Sequence, residues 1–264
     1  MSNKRQTAGM LTVLPWIAVL LLAALIPALF AGKPKKQKAE PVAEGVSFLS
    51  LQAQKDPAEV EKLVRTRAVA QLRSEREDAL DSGSIWGQFR DYVILGDSRA
   101  VGFWLFHFLD ESRVIADGGN TIRDISAALD TIKALNPAYI YLCYGVNDAG
   151  IGYWDDGEAY AKEFDEHITE LQSAVPGVKV IVNSILPATE GAMQASPSWR
   201  KIPDFNKAVK AMCAEKGVTY VDNEEIAAKY MDTMWNEDGV HLHEEFYPIW
   251  AKNLLMGAIE ADLG

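Results

Sequence analysis

Four short polar clusters in this 264-residue chain carry the functional groups of nucleophilic acyl transfer. They are Gly96-Asp97-Ser98, Asp117-Gly118-Gly119-Asn120-Thr121, Gly145-Val146-Asn147-Asp148 and Asp238-Gly239-Val240-His241. Between them they supply a hydroxyl, glycine backbone donors, a side-chain amide, a carboxylate and an imidazole. Serine acyl transfer needs a nucleophile, a base, a group that orients the base, and donors for the oxyanion. Three of the clusters also have a plainer reading. Ser98 suits a helix N-cap, Gly118-Gly119 a tight turn, and Asn147-Asp148 turn chemistry. Asp97 and Asp148 are assigned to structure rather than to chemistry.

The elements that must position these groups follow from the apolar pattern. Tyr92–Leu95, Arg113–Ala116, Ala138–Tyr144, Val178–Asn183 and Val218–Val221 read as buried strands. Helical periods fall between them at about 121–135, 157–174 and 203–216, with a last one at about 244–262. Strands alternating with helices imply an α/β domain with a parallel sheet covered on both faces. The first three clusters follow the first three strands, and the fourth lies past the fifth strand. All four therefore fall on the carboxyl edge, where such sheets gather their functional groups.

The blocks GDS, GGNT, GVND and DGVH, in this order, resemble those of the SGNH hydrolases, also called the GDSL esterase/lipase family. The resemblance runs over about Tyr92–His241. It implies a three-layer α/β/α sandwich with a flavodoxin-like, parallel five-stranded sheet, ester hydrolysis or related acyl transfer, and no metal or organic cofactor. It also implies roles: Ser98 as nucleophile, His241 as base, and Asp238 as the group that orients the imidazole. The backbone N–H groups of Ser98 and Gly119 and the side-chain amide of Asn147 would form the oxyanion hole. Family members usually continue GDS with leucine. Here Arg99 follows, which would put a charge at the mouth of the site and makes Arg99 a candidate substrate contact. Tyr153 and Trp154, just past Asn147, and Trp199, in the loop Met193–Arg200, are further candidate substrate contacts, suited to a sugar ring or an acyl chain.

Other templates fit poorly. Gly96-Asp97-Ser98-Arg99-Ala100 departs from the G-x-S-x-G elbow, and neither a P-loop nor G-x-G-x-x-G is present. His241-Leu242-His243-Glu244-Glu245 hints at a metal, but no further ligand cluster accompanies it, so none is expected. His243 is the fallback base. His107 and His167 fall on expected helices as ordinary residues. Cys143 and Cys213 read as small buried hydrophobes.

The formal net charge of −11 is unevenly spread. Residues 1–38 hold six Lys or Arg and no acid, leaving 20 basic against 37 acidic residues beyond them. An acidic body repels polyanions, which argues against nucleic acid as a partner. Met10–Ala31 is almost wholly apolar, and its 22 residues would span roughly 33 Å as a helix, close to a bilayer core. It exceeds the usual core of a cleavable signal peptide, and Leu29 stands three residues before the Ala31 exit where a small residue is wanted. An uncleaved single-pass anchor is therefore expected, and the catalytic domain is placed on the extracellular side despite the four lysines that follow the span. The organisation read from the sequence is a basic tail 1–9, a transmembrane helix 10–31, a linker and helical stalk 32–85, and a catalytic domain 86–264. Asp56-Pro57 marks the stalk helix start, with Val60, Val64, Ala68 and Leu72 at i+4 spacing. The expected substrate is a small acyl ester or an acylated glycan, above all an O-acetyl group on a cell-surface carbohydrate. Lipid hydrolysis, acyl transfer to a glycan and an inactive binding module are the rivals.

Overall fold

The computed structural model describes residues 56–82 and 85–263. The expected basic tail, the span Met10–Ala31 and the linker to residue 55 lie outside the described residues. The chain divides into two compact units, Met1–Lys62 and Leu63–Gly264. Helix α1, Pro57–Ser82, begins where expected, with Asp56 Oδ1 accepting the Ala58 amide at 3.0 Å. Val60, Val64 and Leu72 on it are exposed. No described helix is long and apolar enough to cross a membrane.

The elements that follow are β1 (Tyr92–Gly96), α2 (Ser98–Leu105), β2 (Val114–Ala116), α3 (Ile125–Leu135), β3 (Tyr139–Cys143) and α4 (Val146–Ile151). Next come α5 (Gly157–Ala174), β4 (Lys179–Asn183), α6 (Glu190–Ala195), α7 (Ile202–Lys216), β5 (Thr219–Val221), α8 (Glu224–Met234) and α9 (Tyr247–Leu263). All five expected strands form, within a residue or two of their expected limits. They make one parallel sheet in the order β2-β1-β3-β4-β5.

Strand residues alternate between the two faces, because successive side chains point to opposite sides of the pleat. Val93, Leu95, Ile140, Leu142, Val180 and Val182 pack with Ile125 and Ile132 of α3, Phe164 and Ile168 of α5, and Phe205 and Val209 of α7. Ile94, Tyr141, Cys143 and Ile181 pack with Ala100 and Phe103 of α2 and with Tyr247, Trp250 and Leu254 of α9. The sheet is thus apolar on both sides and closed by helices on both, giving the three-layer α/β sandwich.

Helix limits differ from the sequence pattern where short turns intervene. The helix expected from 121 opens as a 3-10 turn, Ile122–Asp124, with Thr121 and Asp124 in a reciprocal capping box. The last helix likewise opens as Glu244–Phe246 before α9 proper. Helices α2, α4, α6 and α8 lie outside the expected helical stretches. Three of them are eight residues or shorter, and α8 buries only Ala227.

Between β3 and α4 the chain turns at Gly145, with φ of +130°, a conformation L side chains rarely adopt. A Cβ there would stand 2.2 Å from Ile185 Cγ1. Gly145→Ala should therefore cost on the order of 2–4 kcal/mol through backbone strain and overpacking. Thermal denaturation should show Tm lower by roughly 5–15 °C in a domain of this size. A Tm unchanged within error would mean that this turn tolerates a side chain.

Candidate active site

The β1-to-α2 junction sets the first group. Asp97 caps α2, its Oδ1 accepting the Arg99 amide at 3.0 Å, so Ser98 is the first helical residue and not the cap expected from its type. The opening amides of a helix have no acceptor within it, which leaves the Ser98 N–H in the positive field of the α2 N-terminus.

The fourth cluster folds as a closed turn. Gly239 donates its amide to Asn236 O at 2.8 Å, and Asn236 donates to His241 O at 2.8 Å. Asp238 Oδ1 accepts the amides of Val240 and His241 at 2.8 and 2.9 Å, while its Oδ2 lies 2.7 Å from His241 Nδ1. His241 Nε2 is 3.0 Å from Ser98 Oγ. The two side chains of the turn are open to solvent, His241 at 45% and Asp238 at 49% exposure. Partial burial disfavours the Asp238 charge, but the hydrogen bonds from the His241 ring and the two amides outweigh it and hold the carboxyl down to about 2. An ionised Asp238 keeps the proton on Nδ1 and leaves Nε2 free to accept from the serine hydroxyl.

The second and third clusters grip each other. Asn147, on α4, donates one amide hydrogen to Asn120 O at 2.9 Å, which leaves the other for a ligand. Its neighbour Asp148 accepts the Ile122 amide on Oδ1 at 2.9 Å. Gly119 lies in the held loop, exposed, with φ of +87°. Asp97 Oδ2 accepts the Val146 amide at 3.2 Å, which ties the Asn147 helix to the Ser98 helix.

Of the expected substrate contacts, Tyr153 alone keeps an open face, at 55% exposure, with the Arg123 guanidinium 4.6 Å from its ring centre. Trp154 is corrected to a core residue. It is 3% exposed, and its Nε1 donates to Glu163 at 2.7 Å, because the loop folds its ring onto Tyr160. Trp199 is half-buried, its Nε1 donating to Val146 O at 2.9 Å, so its polar edge supports α4 rather than facing a ligand. Arg99 is also corrected: it is 3% exposed and turned into the protein, where its guanidinium meets backbone carbonyls.

His243 is exposed, and it is His241 that meets Ser98. His107 lies in the turn past α2 with φ of +61°, not on a helix as expected, whereas His167 is on α5 beside Ser126 and Glu170. Cys143 and Cys213 are free and buried, and burial pushes both thiols up. Among the described residues no group of three or more His, Cys, Asp or Glu is placed to hold a metal ion. A groove of about 720 Å³ between α5 and α7, lined by Lys162, Asp165, Lys207 and Lys216 among others, shares no residue with this site.

The GDSL-like lipase/acylhydrolase family matches residues 94–249, more than half of the chain, and the protein belongs to that family. It is an ester hydrolase. The fold is similar to a lipase/acylhydrolase from Enterococcus faecalis, at 18% identity and a TM-score of 0.51, covering 65% of this chain and 96% of that one. A GDSL-like lipase from Bacteroides thetaiotaomicron aligns at 21% identity and a TM-score of 0.49, over 64% and 87% of the two chains. A variant of an acetyl xylan esterase from Geobacillus stearothermophilus aligns at 19% and 0.48, over 63% and 93%. Comparison with curated proteins finds no match.

Asp148 gives this site a measurable pH signature. It is fully buried, burial raises its carboxyl to about 7, and its Oδ2 has no hydrogen-bond partner among the described residues. A folded state that holds a proton more tightly than the unfolded one loses stability as pH rises. The loss runs from the ordinary carboxylate value near 3.9 up to about 7. Asp148→Asn keeps an acceptor for Ile122 and removes the titration. Its Tm relative to the native protein should therefore rise between about pH 4.5 and pH 8. A constant Tm difference over that range would show that Asp148 does not titrate there.

Proposed function

We propose that this ester hydrolase works through an acyl-serine formed on Ser98. Its preferred substrate, in this reading, is a small O-acyl group, such as acetyl, carried by a carbohydrate. The carrying observation is the unbroken relay from Asp238 through His241 to Ser98, at 2.7 and 3.0 Å, in a solvent-open setting. His241 Nε2 takes the hydroxyl proton as Ser98 Oγ attacks the ester carbonyl, and Asp238 stabilises the imidazolium that results. The developing oxyanion is held by the N–H groups of Ser98 and Gly119 and by the remaining amide hydrogen of Asn147. His241 returns the proton to the leaving alcohol, and water then releases the acyl group by the same route.

A small acyl group on a bulky carrier is supported by the openness of the site. Gly118 and Gly119 are exposed, and His241, whose Nε2 meets Ser98 Oγ, is half-exposed. An ester projecting from a bulky carrier reaches such a serine without entering a tunnel. The acidic body, with 37 acidic residues in the chain against 26 basic, repels a polyanionic carrier and favours a neutral glycan. The apolar stretch Met10–Ala31 is long enough for a membrane anchor, and its likeness to an export signal favours a catalytic domain outside, within reach of a surface carbohydrate.

A fluorophosphonate probe should label the native protein and not Ser98→Ala. Asn147→Ala should lower kcat by about 10²–10³-fold with folding intact. With p-nitrophenyl esters of increasing chain length, kcat/KM should fall beyond the shortest acyl groups. A preference for long chains would replace the carbohydrate reading with a lipase, and a glycan acceptor that captures the acyl group would make it a transferase. Protease treatment of intact cells should remove the domain if it lies outside.

A further inference from the structure

Arg99 stands next to the candidate nucleophile, yet it is buried and takes part in no step of the chemistry above. Each of its guanidinium nitrogens is engaged. Nε donates to Val240 O at 2.8 Å, Nη2 to Pro187 O at 3.1 Å, and Nη1 to Leu186 O. Its own backbone is pinned too, the amide by Asp97 Oδ1 at 3.0 Å and the carbonyl by Tyr247 Oη at 2.8 Å. Val240 immediately precedes His241. One side chain adjacent to Ser98 therefore holds the peptide adjacent to His241.

The Gly239, Val240 and His241 amides of the turn that carries His241 are satisfied from within. Asp238 takes its Val240 and His241 amides, and Asn236 takes the Gly239 amide. The Val240 carbonyl is left pointing at the protein body, where Arg99 meets it. The same fork holds Leu186 and Pro187, and this segment reaches the turn from the other side. Trp235 Nε1 donates to Pro187 O at 3.0 Å, and the Thr189 amide donates to Gly239 O at 2.9 Å. A lysine could not span three carbonyls from two segments, whereas a planar guanidinium can. An apolar side chain would leave buried acceptors without a donor.

We propose that Arg99 is a positioning residue that locks the His241 turn to the nucleophile helix and so keeps Nε2 within reach of the Ser98 hydroxyl. The inference rests on the serine mechanism proposed above. Displacement of a catalytic group by about 1 Å can cost 10²-fold in rate, while substrate still binds to surfaces that Arg99 does not touch. Its loss therefore acts on kcat and spares KM.

The test is a double-mutant cycle with Arg99→Met, Arg99→Lys and His241→Ala, assayed with p-nitrophenyl acetate well below each variant's Tm. Arg99→Met should lower kcat about 10²-fold with KM within roughly threefold, and Arg99→Lys should fall between it and the native protein. In the His241→Ala background the Arg99 substitutions should change the residual rate by less than about twofold, because the group they position is gone. If Arg99→Met does not fold, the same cycle run with Arg99→Lys decides. Native kcat in the Arg99 variants overturns the inference, as does an equal loss with and without His241, which would mean general damage. The His241→Ala protein alone reports on the underlying mechanism: native activity there sinks the serine relay itself, separately from the role of Arg99.

Discussion

The contact between His241 Nε2 and Ser98 Oγ joins residues 143 positions apart, and most of the domain's architecture bears on that 3.0 Å separation. A parallel sheet satisfies it economically. Every β-to-α connection leaves from the same edge, so groups placed after successive strands converge without long loops. The order β2-β1-β3-β4-β5 puts β1 beside both β2 and β3, and the sense in which successive strands are added reverses at β1, although all strands stay parallel. Ser98 follows β1, the Gly119 loop follows β2 and Asn147 follows β3. The three sequence-distant groups are neighbours because their strands are.

Adjacency alone does not fix orientation, and the finer placement comes from buried polar groups bonded to backbone. Asp97 and Arg99 flank Ser98 and hold different segments. Asp97 takes Val146 at the head of the Asn147 helix, and Arg99 takes Val240 before His241. Further out, Asn206 of α7 both donates to and accepts from Ile185, at 3.0 and 2.8 Å. That bond steadies the segment on which the Arg99 fork sits. Asn223 continues the pattern, its backbone amide donating to Ser184 Oγ at 2.9 Å and its side-chain Nδ2 to Asn183 Oδ1 at 3.1 Å. Such groups cost desolvation when unpaired, so their full pairing makes each segment hard to displace.

Much of this was legible in the sequence. The strands announced themselves as short apolar runs bounded by Gly and Asp, and the polar clusters after them marked the sheet edge. The relay was legible through the resemblance of the four blocks to the family; only its Asp238–His241 half is local, where a three-residue spacing lets one carboxylate cap the turn and meet the ring. What could not be read was direction. Arg99 sits one residue past the serine and suggested a charged mouth, because arginine is rarely buried. Only the tertiary placement of the Leu186, Pro187 and Val240 carbonyls draws it inward. Trp154 misled for the opposite reason: its loop position implied exposure, while Glu163, nine residues on, accepts its indole N–H within the fold. Helix α8 was missed because Glu224, Glu225, Lys229 and Asp232 interrupt an apolar face of Ile226, Tyr230, Met231 and Met234 that is only partly buried.

The two fully buried carboxylates near the site show how charge is rationed there. Asp97 shares its surroundings with Arg99, the one buried cation among the described residues, and accepts two backbone amides. Burial still raises its carboxyl, but the guanidinium and the amides oppose that rise. For Asp148, which accepts the Ile122 amide, burial above all, with the negative charges of Asp97 and Asp124, lifts the carboxyl to about 7. Arg123, exposed and bound to Glu163, offers it little. A proton on Asp148 removes a negative charge one residue from Asn147, where an oxyanion would gather. The same hydrogen bond to Ile122 that orders the Gly119 loop can then be made by a neutral acid, at no electrostatic cost to the anion beside it.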